Sequence, residues 1–226
     1  MSIVVIIPAF NEEAAIGKVI ADIPQPPVDH VIVGNNASKD DTIRVAEEAG
    51  AIVVTENRKG YGWACLKALE RSEALNPEII VFLDGDYSDY PEEIPDLIAP
   101  ILNDEVDMVI GSRVLGEREK GSLTPQQVFG NWLATRMIRI FYGAKYTDLG
   151  PFRAIRKESL DQLKMADKTY GWTIEMQIKA VKKGLRFREI PVRYKQRIGV
   201  SKVSGTVKGT VLAGIKIIFA VFKYRF

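Results

Sequence analysis

Val81-Phe82-Leu83-Asp84-Gly85-Asp86-Tyr87-Ser88-Asp89-Tyr90-Pro91 is an apolar run that stops on a carboxylate pair. With Ile79 and Ile80 in front of it, the run reads as a strand buried on both faces, as parallel sheets require. Asp84 and Asp86 alternate across Gly85, so at the end of an extended segment both lean toward one small volume. Gly85 leaves room for a ligand to approach the backbone. Oxygen donors in this arrangement suit Mg2+ or Mn2+, which one or two carboxylates hold together with substrate phosphates. The pair therefore predicts a phosphate-bearing substrate, against the plainer alternative of acidic residues that face water at a strand end.

Upstream, the same alternation repeats. Ile3 to Ile7 is a β-branched run closed by Pro8, and Asn11 is expected to cap a helix with Glu12 and Glu13 in its first turn. Val28 to Val33 predicts a second strand, followed by a polar turn and a helix that Gly50 stops. Ile52 to Thr55 predicts the third strand and Tyr61 to Leu75 the next helix. Strand and helix alternate through Leu83, so the fold class is α/β, a mostly parallel sheet flanked by helices. Ligands of such sheets bind outside the carboxyl ends of the strands. The loops at Pro8 to Glu12, Gly34 to Asp40, Asn57 to Gly62 and Asp84 to Asp89 should therefore line one crevice.

Downstream, Met108 to Ile110 predicts a strand and Pro125 opens a helix to about Tyr142. Asp148 to Ile155 reads as a loop and strand, Thr173 to Lys183 as a helix, and Phe187 to Tyr194 as extended segments. Between Gly205 and Phe222, Val207, Val211, Ile215, Ile218 and Phe222 recur at helical spacing, interrupted by Lys208 and Lys216. That pattern predicts an amphipathic basic helix over 205–226, packed on the sheet or lying at a membrane surface, and not a transmembrane span.

Composition sets further bounds. The 226 residues carry a net charge of +2 and 46% hydrophobic residues, which suits one globular domain and argues against a nucleic-acid-coating protein. The charge is uneven: from Lys183 to Arg225 there are eleven Lys or Arg against Glu189 alone. A single cysteine, Cys65, forbids an internal disulfide, and no signal-type segment opens the chain, so the expected location is cytoplasmic, with peripheral contact at the inner face of the membrane.

Taken together, Ile6-Ile7-Pro8-Ala9-Phe10-Asn11-Glu12-Glu13, Asn35 to Thr42, Asn57-Arg58-Lys59-Gly60-Tyr61-Gly62, Asp84-Gly85-Asp86 and Gly111-Ser112-Arg113 resemble the family 2 inverting glycosyltransferases of GT-A fold. Within that family the chain looks most like the polyprenyl-phosphate (dolichol-phosphate type) mannosyl and glucosyl transferases. Asp148-Leu149-Gly150-Pro151-Phe152-Arg153, Trp172-Thr173-Ile174-Glu175-Met176 and Arg197-Ile198-Gly199-Val200-Ser201-Lys202 extend the resemblance over nearly the whole chain. It implies a GT-A domain over 1–204, with a nucleotide-sugar half at 1–113 and an acceptor half at 114–204.

Residue by residue, the resemblance implies that Pro8, Ala9 and Glu12 contact the nucleotide base and ribose of a UDP- or GDP-hexose. Lys59 and Gly60 would approach the ribose or diphosphate, Asp84 the ribose or metal, and Asp86 the metal. Arg113 is a candidate for holding the sugar, Glu175 for the general base, and Arg197, Ser201 and Lys202 for the diphosphate or an acceptor phosphate. Asp148 and Arg153 are candidates for acceptor binding. Relatives usually begin the second loop with an acidic pair, so Asn35 and Asn36 are departures that leave the nucleobase open. Many lipid-phosphate transferases also carry transmembrane helices after this domain, and the present sequence does not. The expected reaction is hexose transfer to a polyprenyl phosphate. A saccharide or soluble hydroxyl acceptor and a non-catalytic nucleotide-sugar binding module are the alternatives.

Overall fold

The computed structural model describes residues 1–199 and 218–224. Ser201, Lys202 and most of the amphipathic segment expected over 205–226 lie outside the described residues.

The β-branched runs of the first half become β1 (Ile3–Ala9), β2 (His30–Asn35), β3 (Ile52–Thr55) and β4 (Ile79–Phe82). They pair in parallel in the order β3-β2-β1-β4. All seven residues of β1 are buried, which is why its sequence is an unbroken apolar run instead of an alternating one. α1 (Ile16–Ala21) and α2 (Thr42–Glu48) pack on one sheet face through Ile16, Val19, Ile20 and Ala46. α3 (Tyr61–Ser72) packs on the other through Cys65 and Ala68.

The helix expected to begin at Asn11 starts later. α1 opens at Ile16 with Ala15 at its cap position, and Asn11 has φ 55°, outside helical geometry. Its side chain instead accepts from the Lys39 N–H at 2.8 Å, and its own N–H donates to Ser38 Oγ at 2.9 Å. The polar residues that suggested a cap tie two loops together across the end of the sheet.

The second half abandons the parallel alternation. α4 (Ile94–Leu102) leads to β5 (Met108–Ser112), but β6 (Arg153–Arg156) lies between β4 and β5, antiparallel to both. β7 (Phe187–Pro191) then adds parallel to β5, giving the order β3-β2-β1-β4-β6-β5-β7. One continuous sheet thus spans both parts of the chain. α5 (Pro125–Tyr142) begins in a capping box, with the Gln127 N–H donating to Thr124 Oγ1 and the Thr124 N–H to Gln127 Oε1. α6 (Lys157–Leu163), which the sequence reading passed over, and α7 (Trp172–Lys182) complete the described layers. Residues 218–223 are helical, with Ala220 and Val221 buried and the Phe222 ring tilted against Phe141, centroids 5.2 Å apart. Among the described residues no helix is long and apolar enough to cross a membrane.

Candidate active site

A cavity of about 250 Å³ opens at the carboxyl ends of β1, β2 and β4, where the strand-end loops converge. Pro8, Ala9 and Glu12 line it from the β1 loop, and Asn36, Lys59 and Gly60 from the loops after β2 and β3. Asp84, Gly85 and Asp86 come from the end of β4, and Arg197 closes in from the segment that follows β7. The Arg197 guanidinium bridges two of these loops: Nη2 lies 3.1 Å from Asp86 Oδ2 and 3.3 Å from Glu12 Oε1. The segment that carries it is pinned down by backbone bonds. The Lys195 N–H donates to the Ser88 carbonyl and the Ile198 N–H to the Asp86 carbonyl, both at 2.9 Å.

The end of β4 holds more negative charge than its surroundings neutralise. Asp86 Oδ1 accepts from the Ser88 N–H at 3.0 Å and the Ser88 hydroxyl at 2.5 Å. Asp84 Oδ1 accepts from the Tyr61 hydroxyl at 3.0 Å. Burial, helped by the neighbouring Asp86 charge, pushes the Asp84 carboxyl up to about 7, against the Tyr61 hydrogen bond and the charges of Arg197 and Arg113. Asp89 is buried beside them with no hydrogen-bond partner for either oxygen. Burial and then the charges of Asp84 and Asp86 lift its carboxyl well above the usual range. A site this acidic and this dry favours an incoming cation.

The Asn36 amide explains one departure from the acidic pattern. Its Nδ2 donates to the carbonyls of Glu56 and Arg58 at 3.2 and 2.8 Å, and its Oδ1 accepts from the Gly60 N–H at 2.7 Å. A carboxylate could not make the first two bonds. Asn35 does not line the cavity; its amide bonds Thr55 Oγ1 and the Ser38 N–H.

Gly85 lines the cavity, yet its missing Cβ serves the core and not a ligand. A methyl there would stand 3.3 Å from Ile7 Cγ2 and 3.4 Å from Ile16 Cδ1. At Gly60 and Gly62 the demand is stronger, because a Cβ would collide with the carbonyls of Lys168 and Asp167. Residues 167–169 run against the start of α3, where the Gly62 and Trp63 N–H groups donate to the Thr169 and Lys168 carbonyls at 3.2 Å.

Four expected site residues are placed elsewhere. Glu175, the expected base, is fully buried in α7, where its carboxylate accepts from the Ala166 and Asp167 N–H groups at 2.7–3.1 Å and pairs with Lys179 at 2.7 Å. It holds the 166–169 segment that braces α3. Arg113 and Asp148, expected at the sugar and acceptor, instead form a two-pronged pair, Nη2 to Oδ1 at 2.6 Å and Nε to Oδ2 at 2.8 Å. Burial would raise the Asp148 carboxyl, but the Arg113 guanidinium outweighs it and holds the group below the usual range. Arg153 is buried in β6, donating to the carbonyls of Leu149, Gly150 and Thr173. Desolvation draws its pKa down to about 10.

Phe10 and Tyr61, inside loops expected at the crevice but given no role of their own, also line the cavity, as do Ala64 and Tyr170, which lie outside those loops. Tyr61 was within reach of the sequence reading, since it follows Lys59 and Gly60 at the start of a helix. Tyr170 was not: it stands far from the other loops in sequence and arrives only through the packing of residues 167–169 on α3.

Comparison with known proteins matches this arrangement. The low-salt glycan biosynthesis hexosyltransferase Agl6 of Haloferax volcanii is 31% identical over 91% of this chain, which spans 50% of that relative's length. The dolichyl-phosphate hexose transferase of the same organism is 30% identical over 92% of this chain and 89% of its own length. Among solved structures, glucosyl-3-phosphoglycerate synthase from Mycobacterium tuberculosis, in complex with Mn2+, uridine diphosphate and glucosyl-3-phosphoglycerate, superposes with a TM-score of 0.78 at 26% identity. That match covers 99% of this chain and 79% of the other. Residues 4–164, which contain the strand-end loops from β1 to β4, match the profile of glycosyl transferase family 2. The chain belongs to glycosyl transferase family 2 and is a glycosyltransferase.

Proposed function

We propose that the protein transfers a hexose from a nucleotide diphosphate sugar to a polyprenyl phosphate, with inversion at the anomeric carbon and with Mg2+ or Mn2+ bound. The observation that carries the donor half is the convergence of Asp84, Asp86, Lys59 and Arg197 on one cavity whose carboxylates are short of positive charge. The donor set fits a hard cation, and Asp84 and Asp86 would hold it. Ions of this kind are typically held by one or two carboxylates together with substrate phosphates, which the two aspartates beside a nucleotide-sugar cavity would suit. When bound, the ion neutralises charge that builds on the departing diphosphate.

The chain's own groups do the rest. Pro8, Ala9 and Glu12 form the wall against which the base and ribose lie, and Asn36 fixes the Gly60 backbone beside them. Arg197 leaves its bridge between Asp86 and Glu12 and turns its guanidinium to the diphosphate or to the acceptor phosphate. An acceptor phosphate oxygen attacks the anomeric carbon, the bond to the diphosphate oxygen breaks, and the nucleoside diphosphate departs with the electron pair. Such a nucleophile is already an anion near neutral pH and needs no base. The engagement of Glu175 away from the cavity supports this acceptor class over a hydroxyl, and the name of the Haloferax dolichyl-phosphate relative agrees.

A second reading, transfer to the hydroxyl of a soluble phosphorylated acid, is favoured by the likeness to glucosyl-3-phosphoglycerate synthase. Calorimetry with UDP- and GDP-hexoses and Mn2+ on wild type and Asp86→Ala tests the donor half: one nucleotide series should bind, and the variant should lose it. Radiolabelled transfer to a short polyprenyl phosphate against phosphoglyceric acid then separates the two acceptors. Donor binding without turnover on any acceptor would leave only a binding module.

A further inference from the structure

Three cations on the segment after β7 meet the loop after β4 in order. Arg193 Nε lies 2.6 Å from Glu93 Oε1 and its Nη2 3.1 Å from Glu92 Oε1, Lys195 stands over Tyr87 and Tyr90, and Arg197 reaches Asp86 and Glu12. Successive side chains of an extended segment point to opposite sides, and Tyr194 and Gln196 do turn the other way. The Tyr194 ring meets the Arg113 guanidinium at 5.0 Å, and Gln196 Nε2 donates to the Lys120 carbonyl at 3.0 Å. Backbone bonds fix the register of the two segments, from the Lys195 N–H to the Ser88 carbonyl and from the Ile198 N–H to the Asp86 carbonyl. A slip of one residue would take every cation off its partner.

Lys195 differs from the two arginines in what holds it. Arg193 and Arg197 are each paired with carboxylates, whereas among the described residues no carboxylate lies within ion-pair distance of Lys195. Its ammonium is 3.3 Å from the Tyr87 ring centroid and 4.4 Å from that of Tyr90, so two π faces meet the charge. The rings are themselves fixed. The Tyr87 hydroxyl donates to Asp22 Oδ2 at 2.5 Å, at the end of α1, and the Arg193 guanidinium lies 4.1 Å from the Tyr90 centroid. All three residues of the clamp are half-buried.

The clamp stands outside the cavity, whose lining includes none of Tyr87, Tyr90 and Lys195. A donor that draws Arg197 from Asp86 and Glu12 removes both carboxylate contacts of that side chain and leaves the seat of Lys195 untouched. The backbone two residues before Arg197 then stays fastened to the loop that carries Asp86. A misplacement of about 1 Å in a group that meets developing charge can cost about 100-fold in rate, so the firmness of that anchor bears on turnover. We propose that Lys195, seated on Tyr87 and Tyr90, is a positioning residue that keeps the Arg197 guanidinium in register with the leaving diphosphate. The inference rests on the reading of Arg197 given above.

Two measurements on the full chain test it: hydrogen exchange without donor, and steady-state transfer to a short polyprenyl phosphate from UDP-glucose and from GDP-mannose with Mn2+. Lys195→Met keeps the length of the side chain and removes its charge. In that variant the Ile198 amide should exchange at least about tenfold faster, while the amides of β1 and β4 stay as protected as in wild type. Its kcat should fall roughly tenfold with the donor KM within about threefold, because the guanidinium is needed most where charge builds on the diphosphate. Lys195→Arg, which returns a cation to the rings, should recover kcat to within about threefold of wild type. In an Arg197→Ala background, Lys195→Met should change kcat by less than about twofold, since the group it positions is gone. An equal loss in both backgrounds, a lower melting temperature with kcat unmoved, or unchanged exchange at Ile198 would overturn the proposal. Exchange needs no donor. A wild type that transfers neither sugar would therefore strike the reading of the site, and the Ile198 rate would still decide whether Lys195 anchors the segment.

Discussion

Asp86 and Asp89 at the end of β4 and the carboxylates of Asp148 and Glu175 in the second half of the chain are similarly buried and unequally neutralised. Asp148 is 1% exposed and Glu175 fully buried, yet each is met by a cation and by backbone N–H groups. Asp86 and Asp89 are 5% and 1% exposed, but the same corner holds Asp84 as well; Arg197 pairs directly with Asp86, while Arg113, whose charge also reaches the corner, is already paired with Asp148. Burial of a charge is tolerated when its hydrogen bonds and counter-charge are complete. Where they are incomplete, the deficit marks the place at which a ligand is to arrive. By that measure we propose the first region as the site and the second as scaffold, although resemblance to the family marks residues of both as functional.

The sharpest way to break this contrast is Asp86→Ala. Turnover should fall by at least about 10³-fold, because charge on the leaving diphosphate loses its counter-ion, while the melting temperature stays level or rises. Transfer within about tenfold of wild type would remove the β4 end from the mechanism.

Asp148→Ala should act in the opposite sense, on stability. It strands Arg113 in a buried position and should cost about 3–5 kcal/mol in denaturant unfolding. The depressed Asp148 carboxyl also fixes a pH window. Its contribution is complete above the ordinary carboxylate value near 4 and is lost as pH falls through the lower native value, so this pair should hold unchanged between pH 5 and 8.

Glu175→Gln sharpens the boundary between the regions. As a brace of residues 166–169 against α3, the amide should raise the donor KM by roughly 3–10-fold with kcat within about threefold. A kcat collapse of more than about 100-fold, with KM unmoved, would make Glu175 a base and move it into the site. Asp89→Asn is the smallest effect. Replacing this buried carboxyl, which must take up a proton to be accommodated in the fold, with an amide should stabilise the protein by roughly 1 kcal/mol. The gain should be greater at pH 8 than at pH 5, because a raised carboxyl is charged in the unfolded chain well before it ionises in the fold.

How much of this was legible in the sequence varied by element. β1 and β4 were plain because strands covered on both faces must be apolar throughout; β1, however, runs on through Pro8, which was expected to close it, to Ala9. α5 was plain from Pro125 to Tyr142 because a first-turn proline is a local signal; the Thr124 cap that sits before it was not read. The place of β6 was not, since four residues carry no mark of strand direction or of neighbour. The start of α1 was misjudged because Asn11 can satisfy a backbone donor in a loop as readily as at a helix end.

The sequence by itself determined that parallel strands end in polar loops and that these loops share one crevice. Strand length, burial pattern and turn chemistry are local properties, and the rule that ligands bind at the carboxyl ends does the rest. Only the tertiary structure decided which charged residues belong to the crevice. Arg113, Asp148 and Glu175 were indistinguishable from Asp86 and Arg197 as letters in motifs. Whether a carboxylate is satisfied depends on donors such as Arg113, Lys179 and the Asp167 backbone, brought to it by long-range packing and not by spacing along the chain.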